Sequence, residues 1–196
     1  MMMTQEQAFL KSRQQLQTLH AYVEEASSQG ERIDKVEREL FSQLLLIGHT
    51  LLEGFVAAQG VGDEGPALQQ EERTLQRSEE VQERRYLSIF GELLIARYVY
   101  AAGEKQKTGA PLDARLRLPA DEFSYVLADW LQRLCVKESF REGISSLREL
   151  LGVAPSQRAA EQTNQRLSRF AEPGHLNQAP PPADGEGEWP GATADR

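Results

Sequence analysis

The sequence predicts a mainly α-helical protein with a small β-hairpin. We expect an N-terminal helical hairpin, then a helical domain that contains a helix-turn-helix, then a disordered C-terminal tail. Apolar residues recur at three- and four-residue spacing, β-branched and aromatic residues concentrate between Tyr86 and Tyr100, and Pro, Gly and acidic residues dominate the end of the chain. The expected regions are a helical region at 1–60, a linker at 61–83, a β-hairpin with helix-turn-helix at 84–173, and a tail at 174–196.

Two amphipathic helices are expected in the first region. Thr4 and Gln7 form a capping box for a helix over residues 4–29, and Gly30 suits its C-cap. A second helix over residues 31–59 carries an apolar stripe, made of Ile33, Val36, Leu40, Leu44, Ile47, Leu51 and Phe55. The short link allows antiparallel pairing. The stripe either packs on the first helix or is covered by a second copy; we expect the second outcome, and therefore a homo-oligomer.

The composition of the chain changes twice between residues 61 and 100. Gly, Pro, Glu, Gln and Arg dominate residues 61–83, which indicates a linker that is partly helical at most. Two apolar runs on either side of Gly91-Glu92 then predict a β-hairpin up to Tyr100. The preceding Arg84-Arg85 pair either contacts phosphates or, as is more common, flanks the hairpin with charge. Residues 111–119 are expected to be extended.

Three further helices are predicted over 123–137, 139–151 and 156–170. Ser139 and Glu142 form a capping box, and Gly152 ends the middle helix. The last two helices and their short turn have the proportions of a helix-turn-helix. Candidate DNA-binding residues on the third helix are Ser156 at its start, for a backbone phosphate, and the outward side chains Arg158, Gln162, Gln165 and Arg169. The alternative is plain packing of two amphipathic helices with a solvated polar face.

Charge is distributed unevenly along the chain. The formal net charge is −8, yet residues 84–170 carry 14 basic and 10 acidic groups, so only the middle is basic. No apolar run approaches a membrane span and the N-terminus lacks a leader pattern, so we expect a cytoplasmic protein without membrane contact. Cys135 is the sole cysteine, and the three histidines lack metal-ligand spacing, so no metal site is expected. No nucleophile motif indicates an independent enzyme.

Residues 84–173 also carry a family resemblance. The run Arg84-Arg-Tyr-Leu-Ser-Ile-Phe-Gly-Glu-Leu-Leu-Ile-Ala-Arg97 resembles a stretch of the ISKra-type insertion-sequence transposases. So do the segments 111–119, 123–134 and 139–173, in the same order and with similar spacing. The helical N-terminus fits the same family.

The resemblance implies a DDE transposase whose catalytic part would lie downstream. Such enzymes hold three carboxylates around two Mg²⁺ ions in a ribonuclease-H-like fold. Thr193-Ala-Asp195 is similar to the motif of the first carboxylate, although Pro190 suits no central strand. Asp195 is therefore at most a remnant. We assign it no catalysis and expect no cofactor in this chain, whereas an intact family member would use Mg²⁺.

Two functions follow from these observations. The first is the DNA-binding part of an insertion-sequence transposase, without the catalytic core, that binds the terminal repeats of the element. The second is an inert or regulatory helical self-association module that does not bind DNA. The basic middle favours the first function and the acidic ends favour the second.

Overall fold

A computed structural model of the chain describes residues 3–70, 73–102, 108–136 and 139–168. The helices of this part are α1 Gln5–Ser28, α2 Ile33–Ala58, α3 Pro111–Arg115, α4 Tyr125–Cys135, α5 Phe140–Leu151 and α6 Gln157–Ser168. Its strands are β1 Ala67–Gln70, β2 Arg73–Arg77, β3 Gln82–Ser88, β4 Gly91–Arg97, β5 Tyr100–Ala101 and β6 Thr108–Gly109. The predicted fold class, mainly α with a small β region, is confirmed. The expected tail lies outside the described residues.

Helices α1 and α2 form the predicted antiparallel hairpin. The hydroxyl of Thr4 accepts a hydrogen bond from the backbone N–H of Gln7, and the Gln7 side chain accepts one from the N–H of Thr4. This reciprocal pair satisfies two N–H groups at the start of α1. Gly54, near the end of α2, lies against Ala8, near the start of α1, which fixes the antiparallel direction.

The β3–β4 hairpin is also confirmed, with its turn two residues earlier than expected. Ser88 pairs with Gly91, so the turn residues are 89 and 90 rather than Gly91-Glu92. The Ser88 hydroxyl donates to the carbonyl of Gly91 at 2.9 Å and accepts from the N–H of Phe90 at 3.1 Å. Gly91 has a φ of 125°, which only glycine adopts readily.

The expectation of a linker at residues 61–83 is wrong, because this stretch contains β1, β2 and the start of β3. Strands β1, β2, β5 and β6 form an antiparallel sheet in that order. The buried residue of β2 is Leu75. The hydroxyl of Tyr100 in β5 accepts from the N–H of Glu64 and donates to the carbonyl of Gly65. A polar segment therefore becomes ordered through a partner more than thirty residues away.

Residues 111–119 are not extended as expected, because they begin with the short helix α3. Pro111 occupies the first turn, where the missing proline N–H costs nothing. The helix buries Leu112 completely in a small core with Val56 of α2 and Ile95 of β4. Helix α3 therefore closes the junction between the helical hairpin and the β region.

The turn of the β3–β4 hairpin packs on α2. A side chain at Gly48 would lie 2.5–3.1 Å from ring atoms of Phe90, and one at Gly91 would lie 3.1 Å from His49. Two glycines thus permit the close approach of helix and turn.

Among the described helices, α2 is also the one that is long and apolar enough, by length and composition alone, to cross a membrane. Its most apolar stretch of 18 residues has a mean hydropathy of 1.5.

Candidate nucleic-acid interface

Helices α4, α5 and α6 enclose a separate apolar core. Phe123, Leu127, Leu131, Ile144, Leu147 and Ala160 are its buried members. Both α4 and α5 begin with a serine cap: the hydroxyl of Ser124 accepts from the N–H of Leu127, and that of Ser139 accepts from the N–H of Glu142. The predicted capping box of α5 is therefore present.

The turn between α5 and α6 has the conformation expected from its sequence. Gly152 adopts the left-handed conformation at φ 71° and ends α5. Pro155 is buried, and the hydroxyl of Ser156 accepts a hydrogen bond from the N–H of Ala159 at 3.2 Å. Ser156 therefore caps α6 instead of standing free for a ligand. A phosphate at this position would bind the hydroxyl hydrogen or the free N–H groups of the first turn.

Helix α6 has one buried face and one exposed face. Ala160 and Thr163 are buried, and Ala159 packs against the same core. Arg158, Gln162 and Gln165 are exposed, and in a helix of 3.6 residues per turn they lie together on the side opposite the buried pair. Arg158 forms no ion pair with the described residues. Arg169 lies outside the described residues.

Thr163 anchors α6 to the rest of the molecule. Its hydroxyl donates to Asp121 Oδ2 at 2.6 Å, in the loop that precedes α4. Arg84 of β3 reaches the same loop from the other side, where it donates to the backbone carbonyls of Pro119 and Asp121. Arg84 also pairs with Asp113 at 2.6 Å. The hairpin, the loop and α6 are therefore joined by one chain of hydrogen bonds.

Asp113 of α3 is the centre of a largely buried charge cluster. Its two oxygens face Arg84 and Arg97, and the three side chains are only 15–21% exposed. Arg97 Nε lies 2.8 Å from Asp113 Oδ1 with a geometry that suits an ion pair better than a hydrogen bond. Two guanidinium groups around one carboxylate leave a local positive charge, held inside the fold rather than presented to a ligand.

A cleft of about 440 Å³ separates the β3–β4 hairpin from the start of α6. Arg85 and Glu92 line its hairpin wall, and Ser156 and Gln162 line its helix wall. Arg85 holds Glu92 with two hydrogen bonds of 3.1 and 2.6 Å. These bonds lower the pKa of Glu92 below its ordinary value of 4.5. The hairpin wall of the cleft therefore carries an ion pair, and its cation, Arg85, lies near the start of α6.

No family model, curated protein or solved structure matches this chain. Among the described residues, no group of three or more His, Cys, Asp or Glu side chains could hold a metal ion. Asp195, the expected carboxylate remnant, lies outside them.

The structure brings together most of the residues predicted from sequence and adds one. Ser156, Arg158, Gln162 and Gln165 all belong to α6 or its cap, as expected. The two members of the Arg84-Arg85 pair have different environments: Arg84 is a largely buried structural residue, whereas Arg85 is exposed and lines the cleft beside Gln162. Alternation along β3 could have indicated this difference, since neighbouring strand residues face opposite sides.

Proposed function

We propose that residues 123–168 form the DNA-binding part of an insertion-sequence transposase, which recognises the terminal repeats of its element through α6. The observation that carries the proposal is the two-sided burial of this helix. Ala160 and Thr163 hold α6 on the body of the domain, while Arg158 and Gln162 are exposed on the other side. A recognition helix requires this arrangement, because it must be fixed on one face and present donors on the other.

The exposed donors suit the major groove. Helix α6 has 12 residues, so it is about 18 Å long. Arginine pairs with the O6 and N7 atoms of guanine, and glutamine pairs with the N6 and N7 atoms of adenine, each through two hydrogen bonds. Arg158, Gln162 and Gln165 occupy successive turns on one side of the helix, so they would meet successive base pairs.

Charges near α6 support a limited phosphate contribution. Arg141 and Arg148 of α5 are exposed and seven residues apart, hence on one side of that helix. In a helix-turn-helix the first helix crosses the DNA backbone, where such arginines contact phosphates. Glu161 shares the region of the base-reading residues, but Gln157 donates to its Oε1 at 2.8 Å. One carboxylate oxygen is thus already occupied when the helix meets DNA.

The test is a binding titration with two labelled duplexes, one with the terminal-repeat sequence from the DNA that flanks the gene and one with the same bases scrambled. We expect tighter binding to the repeat, with affinity that falls as salt rises. Arg158→Ala and Gln162→Ala should each weaken specific binding by about 1–3 kcal/mol and leave thermal stability within about 0.5 kcal/mol. Arg38→Ala, an exposed arginine on α2, is the matched control and should bind normally.

Equal binding of both duplexes by every variant would refute base reading by α6. Absence of any salt-dependent binding would refute the DNA-binding function altogether. In that case the second candidate function, a self-association module without DNA affinity, would be favoured, because large apolar side chains remain exposed along α1 and α2.

A further inference from the structure

The helical hairpin carries two parallel apolar seams, and the contact between α1 and α2 buries only one of them. The inner seam is buried between the helices and consists of Ala8, Ser12, Leu19 and Ala26 of α1 with Ile47, Thr50 and Gly54 of α2. Its members are three, four or seven residues apart, which is the spacing of packed antiparallel helices. This seam accounts for the stability of the hairpin within one chain.

The outer seam lies beside the inner one and is only partly covered. It consists of Phe9, Leu16 and Val23 of α1 with Leu44, Leu51 and Phe55 of α2. These six side chains are 36–53% exposed. The α1 members follow one another at intervals of seven, and so do Leu44 and Leu51, so each row runs straight along its helix.

Both rows face the same side of the hairpin. Phe9, Leu16, Ile47 and Leu51 line one groove of about 340 Å³ between the helices. The face thus has a central groove bordered by protruding side chains from both helices. Two such faces can pack together, because the protruding side chains of one face enter the gaps between the side chains of the other, as in a helical bundle.

The neighbouring sides of α2 are already occupied. The ring of Phe90 lies on Gly48, and Val56 is buried with Ile95 and Leu112. The β region therefore covers α2 on one side of the outer seam and α1 covers it on the other. The outer seam between them is an apolar surface that the described residues of the chain leave partly exposed.

We propose that a second copy of this chain covers the outer seam, so that two hairpins pack face to face as a four-helix bundle with two-fold symmetry. The size of the face supports this occupant. Ile33 is 80% exposed and lies eleven residues before Leu44, hence on the same side of α2, so the exposed row from Ile33 to Phe55 is about 33 Å long; two helices at 8–10 Å separation give a width of roughly 20 Å. The resulting face of about 650 Å² approaches the roughly 800 Å² that each partner buries in a stable protein interface.

A lipid bilayer is the competing occupant, since α2 is apolar enough to span a membrane. Three features favour the second copy. Arg13 lines the same groove, and Gln43, His49 and Glu53 interrupt the apolar sequence of the helix. Insertion across a bilayer would also expose Ile95 and Leu112, which pack on α2. A symmetric copy instead buries the seam and leaves the fold intact.

The experiment is sedimentation equilibrium of the full chain without DNA over a wide range of protein concentration. For the wild-type chain we expect the mass of two 22.0 kDa chains. Two variants, Leu51→Glu and Leu16→Glu, should each weaken self-association by about a hundredfold or more, because each would bury an unpaired charge in the interface. Leu46→Glu is the matched control. Leu46 is 50% exposed on the same helix, but five residues turn an α-helix by about 140°, so it points away from the seam. This variant should remain a dimer.

Circular dichroism verifies that each variant is folded, and Leu44→Gln serves as a milder seam variant if a glutamate prevents folding. A wild-type chain that is monomeric at every concentration would overturn the proposal, and so would equal dissociation by Leu46→Glu. Flotation of monomeric wild-type protein with vesicles of phosphatidylcholine and phosphatidylglycerol, lost in Leu51→Glu, would assign the seam to lipid. Because no DNA is present, failure here leaves the DNA-binding proposal untouched.

Discussion

Gly48→Ala should destabilise the protein, although alanine is the better helix former. Gly48 lies in the interior of α2, where replacement of glycine by alanine normally stabilises a helix by about 1 kcal/mol. Here the new methyl group would lie 2.5 Å and 2.6 Å from two ring carbons of Phe90 and 3.1 Å from Cγ. Rotation of the ring would still leave Cγ at 3.1 Å, tighter than ordinary van der Waals contact, so the Phe90 side chain must also shift away from the helix.

The cost of that movement exceeds the gain in helix propensity. A phenylalanine buries on the order of 150–250 Å², and Phe90 is partly buried. Return of about 100 Å² to water at about 25 cal/mol per Å² costs roughly 2.5 kcal/mol. The net destabilisation is therefore about 1–2 kcal/mol. With a urea m-value of about 1–3 kcal/mol per molar, the unfolding midpoint should fall by roughly 0.5–1 M.

A double-mutant cycle decides the cause. In a Phe90→Ala background the ring is absent, so the same Gly48→Ala change should stabilise the protein by up to about 1 kcal/mol. All four proteins are compared by urea unfolding at one protein concentration, because association would otherwise shift the midpoint. If Gly48→Ala stabilises both backgrounds equally, Phe90 is not seated on the helix and the reasoning fails.

Three other predictions test the β region and the helical domain. Tyr100→Phe should cost about 1–3 kcal/mol in urea unfolding, because it leaves two backbone groups without their hydroxyl partner. Leu147→Ala should cost about 2–5 kcal/mol, since this side chain is 1% exposed, and it should weaken DNA binding as α6 loses its support. Hydrogen bonds from Ser139 lower the pKa of Glu142 below 4.5, so its stabilisation is complete above pH 4.5 and is lost as the pH falls through the lower, folded-state value. The melting-temperature advantage of wild type over Glu142→Gln should therefore shrink below pH 4.5, and an advantage that grows there would contradict the assignment.

The sequence predicts the elements that depend on local chemistry. Capping residues and apolar periodicity locate α1, α2, α4, α5 and α6 within a few residues, because Thr4, Ser139 and Gly152 act on their own helices. The polar face of α6 is predictable for the same reason. Strands β1 and β2 are missed because their residues are mostly polar and show no apolar alternation, and because β2 also pairs with β5, a partner distant in sequence.

The site is predictable only where it lies on one helix. The position of Arg85 beside Gln162 and the bond from Thr163 to Asp121 join residues 42 or more positions apart. No periodicity within a single segment contains that information. The apolar stripe on α2 is a similar case. Its spacing identifies the apolar residues, but only the packed hairpin shows which of them contact α1 and which remain exposed.

The hydrogen-bonded chain from Arg84 to Thr163 has a consequence for how the molecule opens. Both ends converge on Asp121 in the loop before α4, where Thr163 bonds the carboxylate and Arg84 bonds the backbone carbonyl, so departure of α6 removes a bond from the residue that also holds β3. Amide protons of β3 and α6 should then exchange with solvent deuterium through a shared opening event, although these elements are far apart along the chain. A duplex that holds α6 in place would by the same connection slow deuterium uptake in the hairpin, which carries none of the residues proposed to read bases.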